Sequence, residues 1–426
     1  MPRIIKYLIL AFFMALNLFI RAQKHINYHE DKVPQFELPD PLVMQDGTPV
    51  SSMEQWTRHR RGEIIDLFEE HVYGARPGEI ALSSYQVMEE DQKALGGKAL
   101  RKQIKLVFKK GDHYLEALVL MYLPHQVDHA PLFLGLNFFG NHTVIDDPQV
   151  MLTSSWMRNN FNMGIKEHKA TDDSRGQLSH RWAIDRIIDS GFGVVTMYCG
   201  DIDPDRDDFN DGIHPFLYRE GQTHPQPNEW GTLAAWSWGL SRALDYLKED
   251  PHTSDSKVIA MGHSRLGKSA LWAGAQDTRF HGVISNDSGC GGAALSKRKF
   301  GENAKAINAN FPHWFCDNFK NYNGKEEELP LDQHMLMALI APRPLYIASA
   351  EKDIWADPKG EFLSGVHATV VYKFFGMEGL SGSELPPVDQ PIHHRVGYHI
   401  RSGKHEVTDY DWEQYILWAQ KVLDLE

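Results

Sequence analysis

A chain of 426 residues with a net charge of −13 has room for a large core and carries no basic stripe. Nucleic acid is excluded as a partner, because phosphate binding needs clustered Lys and Arg. Hydrophobic content of 42% and charged content of 24% are those of a globular protein, and three cysteines are too few for a disulfide scaffold.

The first residues read as a secretory signal peptide over 1–22. Arg3 and Lys6 give a positive start, Tyr7 to Ile20 is an apolar run, and Ala22 offers a cleavage site before Gln23. The run is short for a transmembrane span, so the expectation is a periplasmic or extracellular protein with no membrane attachment after cleavage. One disulfide is open to such a chain, and Cys290–Cys316 is the pair closest in sequence, with Cys199 further off. The mature chain, 23–426, reads as a single catalytic domain with inserted surface loops.

Gln23 to Gly62 reads as an extended lead-in and Arg61 to Tyr73 as a helix. Lys102 to Tyr122 reads as a hairpin turning at KKGDH, and Pro131 to Phe139 as a strand. Trp182 to Ser190 is helical, Gly193 to Tyr198 a buried strand, and Thr232 to Lys248 a helix with Leu233, Trp236, Leu240, Leu244 and Leu247 at helical spacing. Asp201 to Asn228 is a long polar loop, a length that is usually functional or mobile. Strands follow at Lys257 to Met261, Gly282 to Asn286, Pro344 to Ser349 and Val396 to Arg401, and a last helix runs from Tyr410 to Leu423. Alternating strands and helices imply an α/β three-layer sandwich: a mostly parallel central sheet, helices on both faces, and the hairpin as its antiparallel edge.

GHSRLGK, at Gly262 to Lys268, joins one of these strands to a helical run from Ser269. A serine on a sharp strand-to-helix turn is a nucleophile elbow, and Gly262 is small because a side chain there would collide with the turn. The match to G-x-S-x-G is imperfect: Leu266 stands where the second glycine belongs, and Gly267 comes one residue late. A serine hydroxyl needs a base, and the base needs a carboxylate. In α/β-hydrolases the chain order is serine, acid, histidine. Ser264 comes first. Asp353 follows a predicted strand, and His405 follows the last one. Asp287, after the strand beyond the elbow, is a second candidate for the acid. His393, His394 and His399 are rivals to His405; their spacing fits no standard metal site, and no metal is expected. The backbone N–H of Arg265 is a candidate oxyanion donor, with a second expected from the loop holding Asn137 to Gly140. The Arg265 guanidinium either joins them or pairs with a neighbouring acid.

GHSRLGKSALWAGAQD resembles the signature of carbohydrate esterase family 15, the glucuronoyl esterases, in their bacterial branch. LGLNFFGNHTV, SNDSGCGG, GENAKAINANFPHWF and KDIWADPKGEF resemble further blocks of that family in order. The resemblance implies an α/β-hydrolase fold, no metal or organic cofactor, and cleavage of esters between lignin alcohols and the 4-O-methyl-glucuronic acid of glucuronoxylan. It implies Ser264 as nucleophile, His405 as base and Arg265 as side-chain partner of the oxyanion. It further implies Lys268, Glu302 and Trp355 as contacts to the uronate. His263 stands where fungal members carry a disulfide-linked cysteine. Asp287 stands where they carry a triad glutamate, and Asp353 where bacterial relatives often place the acid. An acetyl-xylan esterase on the same fold, or a carbohydrate-binding relative without catalysis, is the alternative. A monomer is expected.

Overall fold

The computed structural model describes residues 26–425. The expected signal peptide lies outside them. Among the described residues nine strands form one sheet in the order β1-β2-β3-β5-β4-β6-β7-β8-β9. They are β1 (Ser84–Lys93), β2 (Ala99–Lys110), β3 (His113–Pro124), β4 (Leu132–Asn137), β5 (Gly193–Tyr198), β6 (Val258–His263), β7 (Gly282–Asn286), β8 (Leu345–Ala350) and β9 (Val396–Arg401).

β2 and β3 are the expected hairpin, turning at Gly111, whose φ of 58° suits a residue without a Cβ. The sheet does not end there. β1 adds an outer antiparallel strand with a bulge between Val87 and Glu89. Its sequence, SYQVMEEDQK, has only Tyr85, Val87 and Met88 as apolar residues and is largely exposed, as an edge strand with one neighbour and little to bury can be. β3 pairs antiparallel with β5; from β5 to β9 every pairing is parallel.

Side chains alternate across the parallel strands and fill two cores. Val258, Ala260, Val283, Leu345 and Ile347 point into one core, shared with helices α3 (Thr232–Glu249), α4 (Arg265–Gln276) and α7 (Pro358–Phe374). Ile259, Met261, Ile284, Tyr346 and Ala348 point into the other, with α2 (Ile184–Asp189) and α8 (Asp409–Val422). The other α-helices of six residues or more are α1 (Arg61–Phe68), flanked by wider turns at Trp56–Arg60 and Glu69–Tyr73, α5 (Ala304–Asn310) and α6 (Gln333–Ala338). The result is the three-layer sandwich of the α/β-hydrolase fold. No described helix is long and apolar enough to cross a membrane.

The connection from β4 runs to β5 on one side, and β6 then lies on the other side of β4. This reversal opens a crevice at the carboxyl ends of β4 and β6, where open α/β sheets bind ligands. Ser264 follows β6 directly, and Phe138 follows β4.

Candidate active site

Ser264 sits between β6 and α4 with φ 58° and ψ −129°. A non-glycine residue with positive φ is strained, and the surroundings must hold it. The Ser264 N–H donates to Asn286 O (2.8 Å), while its carbonyl accepts from Gly267 N (2.9 Å) and Lys268 N (3.2 Å). A Cβ at Gly262 would lie 2.1 Å from Leu266 O, and one at Gly267 would lie 3.0 Å from both Gly262 O and Ser288 Cβ. The late glycine is thus the one the turn needs, and Leu266 is free to be a core residue, buried to 1%.

His405 Nδ1 lies 2.6 Å from Asp353 Oδ2; Asp353 is buried and His405 is half open to solvent. The ring of His263, next to the serine, is 4.5 Å from that of His405. The His263 side chain faces Asn286 Oδ1, and burial together with the adjacent His405 keeps it uncharged.

Asp287 joins the same cluster: atoms of Asp287, Asp353 and His405 lie within 4.8 Å of one another. Neither Asp287 oxygen has a hydrogen-bond partner among the described residues, and the nearest cation, Arg401, stands 3.6 Å away. Arg401 is engaged elsewhere, with Nε 2.7 Å from Asp411 Oδ2. Burial, with Glu361 and Asp353 close by, pushes the Asp287 carboxyl well above the usual range. Beneath it, burial pushes Glu361 up to about 8, although it accepts from Ser349 Oγ (2.6 Å) and Gly289 N (2.9 Å). Two acids and a histidine at this spacing are also a conceivable cation site. A cation there would take the Nδ1 lone pair and a carboxylate oxygen at once, so metal binding and base action at His405 exclude each other. Of the rival histidines, His399 is buried between Asp411 (2.9 Å) and the Tyr346 hydroxyl (3.0 Å), and His394 bonds Gly379 O (3.1 Å).

The Arg265 guanidinium forms an ion pair with Asp205, a residue the sequence did not single out, from the long loop after β5. It lies 4.8 Å from the Trp314 ring and 5.5 Å from those of Phe138 and Phe311. Asp205 Oδ1 accepts from His313 Nε2 (2.9 Å) and Trp314 Nε1 (2.8 Å). Burial works against the charge on Asp205, but His313, Arg265 and Trp314 outweigh it and hold the carboxyl well below the usual range. The Gly140 amide is spent on Asn137 Oδ1 (2.8 Å), which removes it from the expected oxyanion donors.

Lys268, one turn along α4, is buried; its ammonium donates to Ser288 O and lies 5.8 Å from the Trp314 ring. Burial lowers its pKa and Glu302 opposes the shift. Burial raises Glu302, and Lys268 and Trp355 hold it back. Glu302 and Trp355 are both half-buried and joined by a hydrogen bond from Glu302 N to Trp355 O (2.8 Å). A Cβ at Gly301, φ 61°, would lie 2.4 Å from the Trp355 carbonyl oxygen, so glycine lets these two loops touch. Apart from the rival histidines, the candidates Ser264, Arg265, Lys268, Asp287, Glu302, Asp353, Trp355 and His405 are linked to one another through these contacts. The open disulfide does not form: Cys199, Cys290 and Cys316 are free and buried.

A strained serine elbow at the switch point of such a sheet defines a carboxylic-ester hydrolase of the α/β-hydrolase class. The family model for fungal glucuronyl esterases matches residues 183–376. Carbohydrate esterase MZ0003, from an unknown prokaryotic organism, is 50% identical over 92% of this chain and 91% of its own length. With this likeness and those to the solved structures, the chain belongs to carbohydrate esterase family 15, the glucuronoyl esterases. A promiscuous esterase of that family from a marine bacterial metagenome superposes with a TM-score of 0.87 at 50% identity, covering 93% of this chain and 100% of that one. The glucuronoyl esterase from Solibacter usitatus superposes at 0.85 and 46% identity, covering 92% and 99%.

Proposed function

We propose that the chain is a secreted serine esterase that hydrolyses esters between the 4-O-methyl-glucuronic acid of glucuronoxylan and lignin alcohols. The observation that carries this reading is Ser264, held at φ 58° next to His263, whose ring lies 4.5 Å from that of His405, a histidine whose Nδ1 is bonded to Asp353.

In this reading Asp353 fixes the Nδ1–H tautomer, and His405 Nε2 takes the Ser264 proton as Oγ attacks the ester carbonyl. The new C–O bond turns the carbonyl oxygen into an oxyanion. The Arg265 guanidinium and the free backbone N–H at the start of α4 stabilise that charge as it develops. Collapse breaks the bond to the alcohol, which leaves with the proton from Nε2. Water then attacks the acyl-enzyme, giving its proton to His405; a second collapse returns the proton to Ser264 and frees the uronic acid. The substrate carboxyl is uncharged and the product carboxylate is not. The product therefore meets Arg265 and Lys268 as a new anion, and product inhibition is expected. Lys268, Glu302 and Trp355 hold the sugar ring, which is what favours a uronate over a small acyl group. The Schizophyllum commune relative, 24% identical, is a 4-O-methyl-glucuronoyl methylesterase, which supports the substrate class.

Ser264→Ala is expected to abolish hydrolysis of benzyl glucuronate. The structure at 50% identity is described as promiscuous, so acetylated xylan belongs in the same assay. Faster turnover of the acetyl ester would overturn the glucuronoyl reading, and sugar binding by wild type without hydrolysis of either ester would leave a binding protein.

A further inference from the structure

The lead-in to the domain is part of the site's wall. Asn27 O accepts from Gly301 N at 2.8 Å, which sets Tyr28 beside the loop that carries Glu302. The Tyr28 ring meets Phe300 edge-on, centroids 6.4 Å apart, and remains 40% exposed. Two residues on, Glu30 lies 2.6 Å from Arg298, and Arg298 reaches Asp357 at 2.9 Å, two positions beyond Trp355. The segment thus clamps together the two loops that hold Glu302 and Trp355.

We infer that Tyr28 forms a carbohydrate subsite next to the uronate, taking the neutral chain sugar to which the uronate is joined. This rests on the glucuronoyl esterase reading above. The ester carbonyl has to sit at Ser264, with the ring hydroxyls at Glu302. A group on the outer side of Glu302 then meets the glycosidic end of the sugar, not the alcohol. The bond from Gly301 N to Asn27 O and the contact with Phe300 place Tyr28 against the loop that presents Glu302. A ring packed edge-on leaves an open face for the C–H face of a pyranose, and its hydroxyl supplies a donor and an acceptor. The other exposed tyrosines are engaged differently: Tyr114 bonds Glu116, and Tyr85 packs on Tyr246.

The test compares a methyl glucuronate monosaccharide with the same methyl ester carried on a xylo-oligosaccharide. The readout is the ratio of kcat/KM for the oligosaccharide to that for the monosaccharide. In Tyr28→Ala the ratio is expected to fall about five- to tenfold, the worth of one aromatic contact, with the change in KM. Tyr28→Phe is expected to keep most of it, and Tyr28→Leu replaces the alanine variant should that one not fold. An unchanged ratio, or equal losses on both substrates, would overturn the subsite. Wild-type protein that hydrolyses neither ester would instead overturn the function, and the subsite with it.

Discussion

Asp205→Asn keeps the shape of the side chain that holds Arg265 and removes its charge. In the wild type the carboxylate serves three donors: Arg265 on Oδ2, and His313 and Trp314 on Oδ1. An asparagine has one acceptor oxygen, so its amide group must face either the guanidinium or the other two N–H groups. A hydrogen bond to a charged group is worth roughly 1.5–3 kcal/mol net. If Arg265 is useful only in the position that this bond enforces, kcat should fall about 10- to 100-fold, at about 1.4 kcal/mol per tenfold. The loss is not expected to be total. The guanidinium still lies 4.8 Å from Trp314, with Phe138 and Phe311 at 5.5 Å, and such contacts contribute on their own. KM should move little, because the oxyanion exists only on the way to the tetrahedral intermediate. Steady-state kinetics on benzyl glucuronate, with a melting curve to confirm folding, give the answer. A kcat within twofold of wild type would refute a positioning role. A higher kcat would mean that Asp205 damps the charge of Arg265 more than it aims it.

The two acids should separate by mutation. Asp353→Asn removes the partner of His405 Nδ1 and is expected to cost about 10³- to 10⁴-fold in kcat, as loss of a triad carboxylate does. Asp287→Asn alters a carboxyl whose charge is already disfavoured by burial and which bonds no histidine nitrogen, and is expected to stay within about tenfold; equal or reversed losses would refute the ranking. Glu361 tests the buried carboxyls under the site. Its pKa is raised from 4.5 to about 8, so its contribution to stability is complete below about pH 4.5 and drains away as pH rises towards 8. Each unit of that window amounts to roughly 1.4 kcal/mol. Glu361→Gln keeps an acceptor for Gly289 N and cannot ionise. It should melt above wild type at pH 8 and lose that advantage at pH 4.5; parallel melting curves across the window would refute the assignment.

The parallel half of the sheet was legible because its strands are buried on both faces and read as short apolar runs; Gly193–Tyr198, Gly282–Asn286 and Val396–Arg401 have the bounds expected of them. β1 was not legible, since SYQVMEEDQK offers only the apolar residues Tyr85, Val87 and Met88 before its run of charges. The site divides in the same way. Ser264, Asp353 and His405 are fixed by topology: each follows a strand, so chain order alone brings them to one edge of the sheet. The groups that tune them answer to no such rule. Asp205 lies in a run of loop aspartates, DIDPDRDD, any of which sequence would treat as solvated, and only the fold of that loop selects one to meet Arg265. Asp287 shows the converse. Its placement after a strand is that of a triad acid, yet Arg401 bonds Asp411 and stands 3.6 Å from Asp287, which stays buried without a hydrogen-bond partner among the described residues. Burial with Glu361 and Asp353 close by disfavours the charge that Asp287 would need to support an imidazolium, whereas Asp353, bonded to Nδ1 beside a half-exposed ring, is placed to do so. Position along the chain thus nominates acids, and the groups packed around them decide which one meets the histidine.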